Sequence, residues 1–239
     1  MAKNKVKRIL RVAVIFVLIA AIYLFLGNSR YFKLDTIEVI DKSHATALKA
    51  GDLLSMYKGR NIFGIDIDSL SSQIKRDTPT IKHAVVKRVL PNKLEIDIIP
   101  RVPIAKIKSH GYFPIDRTGM VLSPEIKTGK LPIIMGFSIW LNPKVGTKIE
   151  NPQVRNAFLL IDALEESAVL SDYAVSTIDV SNYKNLSFYL ENGIEVKIGS
   201  EDFLDRLNRL KTTFAKPKLD KENIKYIDLR FKDVVIGGK

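Results

Sequence analysis

An unbroken apolar run near the N-terminus, Val12 to Leu26, constrains the fold of this chain more than any other feature. Ile9 and Leu10 extend the run across Arg11, whose long side chain reaches back toward the headgroups of a bilayer. Residues 9–27 number about nineteen, and at about 1.5 Å each a helix of that length nearly crosses the hydrocarbon core. The sequence therefore predicts a transmembrane helix over residues 9–27.

Basic residues are concentrated on the N-terminal side of this run. The cations there are Lys3, Lys5, Lys7, Arg8 and Arg11, whereas only Arg30 and Lys33 follow closely. The positive-inside rule keeps residues 1–8 as a cytoplasmic tail and places the rest outside the cytoplasmic (inner) membrane, in the periplasm or the extracellular space. A cleavable signal is the alternative, but no good small-residue cleavage site follows the run, which favours a retained single-pass type II anchor.

The excess of positive charge does not by itself predict nucleic-acid binding. The formal net charge is +12, but much of it belongs to the N-terminal cluster. The remaining cations are not interleaved with aromatic residues, as they are in grooves for single strands. Anionic headgroups or acidic protein partners suit such a surface better. The chain has no cysteine and hence no disulfide framework, which is consistent with export.

Residues 28–100 follow a β-α-α-β-β pattern. The predicted elements are a strand at Thr36–Ile40, a helix at about Ala45–Met56 capped by Ser43, a helix capped by Asp66 or Asp68 and ended by Pro79, and strands at Val85–Leu90 and Leu94–Ile99. Leu70 and Ile74 form the inward face of the second helix. Leu94, Ile96 and Ile98 alternate with polar residues, which indicates a sheet with one face on a core.

Residues 101–239 are predicted to form a second domain of mostly antiparallel sheet with packed helices. Strands are expected at Ile104–Ile107, Tyr112–Ile115, Met120–Leu122, Ala174–Val180, Leu186–Leu190, Ile194–Ile198 and Lys225–Lys232, and helices after the caps Asn151 and Ser200. The second helix carries Phe203, Leu207, Leu210 and Phe214 on one stripe, which we expect to face the core. The predicted fold class is α+β: an N-terminal transmembrane helix, a β-α-α-β-β domain and a β-rich domain.

The sequence offers little for catalysis. Asp66 and Asp68 are the nearest to a carboxylate pair, and helix capping explains them without a metal or acid–base role. The three histidines, His44, His83 and His110, have no partner cluster, and a Walker-type phosphate loop is missing. The chain is therefore predicted to be a binding protein, not an enzyme, with no cofactor, metal or small-molecule substrate.

The C-terminal segment YIDLRFKDVVIGGK is the best candidate for a binding surface. Its apolar side chains alternate up to Phe231, and an unpaired edge there would accept a strand of a partner. Arg230, together with Arg206 and Arg209 of the preceding helix, would pair with acidic residues of that partner. The alternative is that these arginines only solvate the surface.

Several motifs in order resemble the FtsQ/DivIB family of bacterial cell-division proteins. They are GRNIFGIDIDSL (59–70), TIKHAVVKRVLPNKLEIDIIPRVPIA (80–105), YFPIDRTGMVL (112–122), LPIIMG (131–136) and YIDLRF (226–231), behind the predicted span. The resemblance implies that residues 28–100 form a POTRA domain and residues 101–239 a β domain with a C-terminal strand that binds partners.

The resemblance also implies a function. It indicates a divisome scaffold at the septum that binds the membrane coiled-coil proteins FtsB (DivIC) and FtsL, and through them other divisome proteins and septal peptidoglycan synthesis. The expected partner-binding residues are Arg206, Arg209, Tyr226, Asp228, Arg230, Phe231, Lys232, Asp233, Val234 and Val235. The alternative is a POTRA-type chaperone for unfolded envelope proteins, although tandem repeats and a barrel are missing. A wall hydrolase would need a catalytic cluster that the sequence lacks.

Overall fold

A computed structural model describes residues 2–41, 52, 55–126, 128–137, 143–169, 173–216 and 221–239. The chain divides into two compact units, Met1–Arg101 and Val102–Lys239, and each is described by itself. The predicted helix at about 45–56 falls largely outside the described residues.

The first unit begins with helix α1, Ala2–Asn28. Its apolar part, Lys7–Asn28, is 22 residues long and has no buried residue in its most apolar window. A helix of this length extends about 33 Å, enough to cross a hydrocarbon core. The predicted apolar helix is thus confirmed, and its length and composition fit a membrane anchor.

Three strands form the sheet of the first unit, in the order β1-β3-β2. They are β1 (Thr36–Asp41), β2 (Ile81–Val89) and β3 (Lys93–Pro100). Strand β1 runs parallel to β3, in register from Thr36 opposite Lys93 to Asp41 opposite Ile98, whereas β2 and β3 form an antiparallel hairpin. The two strands predicted for this hairpin are confirmed, and β2 begins earlier, at Ile81.

Helix α2, Ile67–Asp77, covers one face of this sheet. Asp66 caps it as predicted, because its Oδ1 accepts hydrogen bonds of 3.1 Å from the backbone N–H groups of Asp68 and Ser69. These bonds, led by the one from Ser69, lower the pKa of Asp66. The predicted inward residues Leu70 and Ile74 are buried together with Leu94, Ile96 and Ile98 of β3.

The second unit is built on an eight-stranded mixed sheet in the order β11-β10-β9-β8-β7-β6-β4-β5. The strands are β4 (Pro103–Lys108), β5 (Tyr112–Asp116), β6 (Ile133–Met135), β7 (Val175–Asp179), β8 (Leu186–Leu190), β9 (Glu195–Gly199), β10 (Ile224–Asp228) and β11 (Val235–Gly238). Strands β4/β6, β6/β7 and β9/β10 are parallel pairs, and the other neighbours are antiparallel. Residues 120–122, predicted as a strand, form only isolated bridges at Met120 and Val121.

Two helices pack against this sheet, α3 (Pro152–Glu166) and α4 (Phe203–Phe214). Asn151 caps α3 as predicted. The predicted cap Ser200 of α4 is wrong: the cap position is Asp202, in the left-handed conformation with φ of 53° and without a side-chain cap bond. The chain turns sharply at Gly199, where φ is +82°, and the helix starts only after this turn. Leu207, Leu210 and Phe214 are buried in the core, as their spacing predicts.

Candidate partner-binding surface

The C-terminal strand ends earlier than predicted, and the chain then doubles back. A single strand over Lys225–Lys232 is wrong, because β10 ends at Asp228 and β11 folds onto it as an antiparallel neighbour. Strand β10 is therefore paired on both sides, with β9 and β11. In the described part of the chain, β11 forms the edge of the sheet at this end, and β5 forms the opposite edge.

A turn between the two strands is held by Asp228, which is only 5% exposed. Its Oδ1 accepts hydrogen bonds from the backbone N–H (3.1 Å) and from Nε (2.9 Å) of Arg230, and its Oδ2 accepts one from Nη2 (2.5 Å). The Arg230 guanidinium holds the pKa of Asp228 below its ordinary value, and Asp228 in turn raises the pKa of Arg230. Arg230 Nη1 also donates to Oδ1 of Asn185 at 3.0 Å.

Arg209 of α4 ties the helix to the same turn. Its Nη1 donates to the carbonyl oxygens of Phe231 (2.6 Å) and Lys232 (2.9 Å), and its Nη2 to that of Leu229 (3.0 Å). Its Nε lies 3.3 Å from Oδ2 of Asp205, outside hydrogen-bond alignment. The guanidinium thus donates hydrogen bonds to carbonyl groups that lie outside the strand pairing. Arg209 therefore acts as a positioning residue for the turn.

Arg206 lies one turn before Arg209 on α4 and is half-buried. Its Nη1 donates to the carbonyl oxygen of Ile198 at 2.5 Å. A Cβ at Gly199 would overlap this nitrogen, so a glycine at the end of β9 leaves room for the guanidinium. Arg206 and Arg209 therefore both make internal contacts, and any role toward a partner stays a prediction.

Tyr226 and Gly237 form a cross-strand pair between β10 and β11. The Tyr226 ring covers Gly237 so closely that a Cβ there would overlap it. The ammonium of Lys197 also lies over this ring, 4.5 Å from the ring centroid. An aromatic ring over a glycine in an edge strand stabilises the pairing, and the ring is therefore part of what holds β11 in place.

The outer surface of this region combines apolar and basic groups. Val235 and Ile236 of β11 are 44% and 40% exposed, and Phe231 in the turn is 58% exposed. An open pocket of about 240 Å³ lies next to the turn, lined by Asp202, Asp205, Arg206, Arg209, Arg230, Phe231 and Lys232. Its basic side chains outnumber its acidic ones, which favours an acidic group as its occupant.

The structure brings the expected partner-binding residues together in one region, but they differ in how exposed their side chains are. Phe231, Lys232, Asp233 and Val235 are exposed, whereas Val234 packs against the core and Asp228 is buried. Sequence reasoning missed Gly237 and Gly199. The run of apolar residues before two glycines, VVIGG, was the available signal for a short extra strand.

The other candidates from the sequence do not form a site. His83 and His110 are exposed, and His44 lies outside the described residues. Within the described ranges, no group of three or more His, Cys, Asp or Glu side chains could hold a metal ion. The C-terminal surface therefore remains the best candidate.

Comparison with known protein families agrees with the two-unit structure. The model of the FtsQ-type POTRA domain matches residues 32–99. The apolar helix, the POTRA domain and the β-rich unit define a POTRA-containing protein with a candidate membrane anchor. The model described as "Cell division protein FtsQ/DivIB, C-terminal" matches residues 105–230. The chain belongs to the FtsQ/DivIB family of cell-division proteins.

Individual relatives extend the similarity over most of the chain. Cell division protein FtsQ of Geotalea daltonii is 30% identical over 224 residues, which cover 91% of this chain and 80% of the relative. Cell division protein DivIB of Clostridium botulinum (strain Loch Maree) is 28% identical over 237 residues, with 96% and 91% covered. Cell division protein FtsQ of Syntrophotalea carbinolica is 27% identical over 218 residues, with 88% and 77% covered.

Proposed function

We propose that this protein is a non-catalytic divisome scaffold whose β11 edge binds a strand of an FtsB/DivIC-like partner. In this proposal α1 is a retained single-pass anchor with its N-terminus in the cytoplasm, and both folded units lie outside the cytoplasmic membrane at the septum. The family assignment supports a role in cell division and divisome protein partners. Binding of an FtsL-like protein and the link to septal peptidoglycan synthesis are part of the proposal.

The exposed edge of β11 is the observation that carries the proposal. An edge strand presents unpaired backbone N–H and C=O groups, to which an extended segment adds as a further strand. Val235 and Ile236 supply apolar contact beside this edge, and the basic pocket at Phe231 lies next to it. The partner strand is therefore expected to be apolar where it faces β11 and to carry an acidic side chain near the pocket.

The test is calorimetric binding of the full chain in nanodiscs to the organism's own FtsB-like protein. An Ile236→Lys variant places a charge on the proposed docking edge, where lysine is a typical device against strand addition. We expect its affinity to fall at least ten-fold, about 1.4 kcal/mol.

Tyr112→Lys is the matched control. Tyr112 is 52% exposed on β5, which forms the opposite edge of the same sheet, and its substitution should leave the affinity unchanged. A variant that ends at Val234 lacks β11 but keeps β10, and it should not bind. The proposal is overturned if the parent chain does not bind, or if the two lysine variants lose affinity equally.

A further inference from the structure

The end of the anchor helix is tied to a loop of the POTRA domain by one side chain. Asn61 Nδ2 donates to the carbonyl oxygens of Leu26 and Gly27, both at 2.7 Å. The last carbonyls of a helix have no partner within it, so Asn61 supplies what the end of α1 lacks. The Oδ1 of Asn61 meanwhile accepts from the backbone N–H of Phe63 at 2.9 Å and caps a short 3₁₀ turn.

Backbone pairing strengthens this junction. Lys33 and Asn61 form an isolated antiparallel bridge. The N–H of Leu34 donates to the carbonyl oxygen of Arg60 at 2.8 Å, and that of Gly59 to the carbonyl oxygen of Leu34 at 2.7 Å. The loop at 57–64 is therefore fixed beside the point where the anchor ends.

Aromatic rings continue from the anchor onto this loop. The rings of Phe25 and Phe32 are 6.0 Å apart between centroids, and those of Phe32 and Phe63 are 5.2 Å apart. Phe63 is 42% exposed and Tyr31 is 68% exposed. Because Phe25 lies in the last turns of the anchor, the rings that continue from it lie at the depth of the headgroups, where aromatic side chains are typical.

Four exposed cations belong to the same two segments as these rings. Arg30 and Lys33 follow the anchor, Lys58 and Arg60 belong to the loop, and the segments 28–34 and 55–65 contain no acidic residue. Among the residues that the structure describes, none of these four side chains forms an ion pair. All four side chains are exposed and can reach a ligand at the membrane surface.

We propose that Arg30, Tyr31, Lys33, Lys58, Arg60 and Phe63 form a docking face that binds anionic phospholipid headgroups of the outer leaflet. The face combines exposed rings at interfacial depth with exposed cations that form no ion pair among the described residues, and it is continuous with the anchor that holds it at the bilayer. The consequence is that the POTRA domain lies on the membrane and is not freely suspended from it. This inference rests on the anchor of the proposed function but not on the partner strand at β11.

Spin-label depth measurements on the full chain test the proposal. The chain has no native cysteine, so a spin label attaches only at the single cysteine that is introduced. Gly64→Cys reports on the docking face, because Gly64 is exposed with open space around it. Ile99→Cys is the aqueous control. Ile99 is 51% exposed and lies about 20 Å along β3 from Lys93, the residue that pairs with Thr36 at the start of β1. Val17→Cys reports insertion of the anchor.

The labels are compared in nanodiscs of phosphatidylcholine alone and of phosphatidylcholine with phosphatidylglycerol. With the anionic lipid, we expect the Gly64 label to be immersed at headgroup depth and the Ile99 label to stay in water. Lys33→Gln with Lys58→Gln should lower the ratio of docked to undocked protein roughly five-fold per removed cation. Lys75→Gln with Lys82→Gln, the same charge change on exposed lysines elsewhere in the unit, should leave the ratio unchanged.

The outcomes separate the inference from the proposed function. If the Val17 label is immersed and the Gly64 label is as accessible to water as the Ile99 label, the docking face is overturned and the anchor stands. If the Val17 label is in water, the anchor fails and the inference fails with it. Equal immersion of the Gly64 label with and without anionic lipid would overturn the assignment of anionic headgroups as the ligand.

Discussion

Asp228 shows how one buried carboxylate shapes the C-terminal surface. It is 5% exposed, and its two oxygens accept hydrogen bonds from the side chain and the backbone of Arg230. A charged group in such a position is stabilised only while its partner stays in place. The direction of the chain between β10 and β11 therefore depends on this ion pair.

Asp228→Asn should lower the free energy of unfolding of the second unit by about 1.5–3 kcal/mol, because it replaces charge-assisted hydrogen bonds with neutral ones. Asp205→Asn is the control: that carboxylate is 75% exposed and should matter by less than about 1 kcal/mol. Urea unfolding monitored by circular dichroism measures both values. A loss for Asp228→Asn no larger than that for Asp205→Asn would contradict the role of the pair.

The same carboxylate gives the surface a pH dependence with a defined sign. The pKa of Asp228 is lowered in the folded state, chiefly by the hydrogen bonds from Arg230. Its stabilising contribution is therefore complete above the pKa of the unfolded chain and is lost as the pH falls through the lower folded value. The difference in stability between the parent and Asp228→Asn should be constant near neutral pH and shrink below about pH 4.

Among the elements, α4 is the one that sets the position of the turn before β11. Arg209→Lys keeps the charge but lacks the planar fork that reaches the carbonyl oxygens of Leu229, Phe231 and Lys232. We expect amide hydrogen exchange in residues 229–238 to accelerate about ten-fold, which corresponds to about 1.4 kcal/mol of lost local stability.

Exchange in β8, at the centre of the sheet, should not change in this variant. Arg155→Lys on the exposed face of α3 is the matched substitution and should leave residues 229–238 as protected as in the parent chain. Uniform acceleration across the second unit would instead indicate that Arg209 acts on global stability.

Elements whose signals are local were predictable from the sequence, and those set by distant residues were not. The cap at Asp66 and the alternation around Ile96 depend on neighbours in the chain, and both predictions are confirmed. The end of β10 depends on Arg209, about twenty residues earlier, which donates hydrogen bonds to the carbonyl oxygens of Leu229 and Phe231. The strand propensity of residues 225–232 contains no information about these bonds. The start of α4 was misplaced at Ser200 because the turn at Gly199 forms around Arg206. The partner-binding surface at the C-terminus stays a prediction, and the edge strand there is β11 instead of the predicted strand over Lys225–Lys232.

At the scale of the whole molecule, the proposed function depends on whether α1 is a retained membrane anchor. If α1 is retained as proposed, the protein recovered from membranes still contains residues 1–28, and the 239 residues have a mass of 26.9 kDa. It should resist extraction with alkaline carbonate, whereas a chain starting at Ser29 should be released. Intact-mass spectrometry and fractionation check both points. A mature N-terminus near Ser29 would show instead that the segment is a cleaved signal.

Parallel pairing of β1 with β3 has a mechanical consequence for this unit. If α1 is anchored as proposed, tension from the membrane would enter at the start of β1, and tension from the second unit at the end of β3, after Pro100. Because the strands run side by side in the same direction from Thr36/Lys93 to Asp41/Ile98, the two pulls act at opposite ends of the pair. The hydrogen bonds between them are then loaded together in shear and do not open one after another. With α1 anchored as proposed, the first unit resists tension between its two ends through hydrogen bonds that are loaded together.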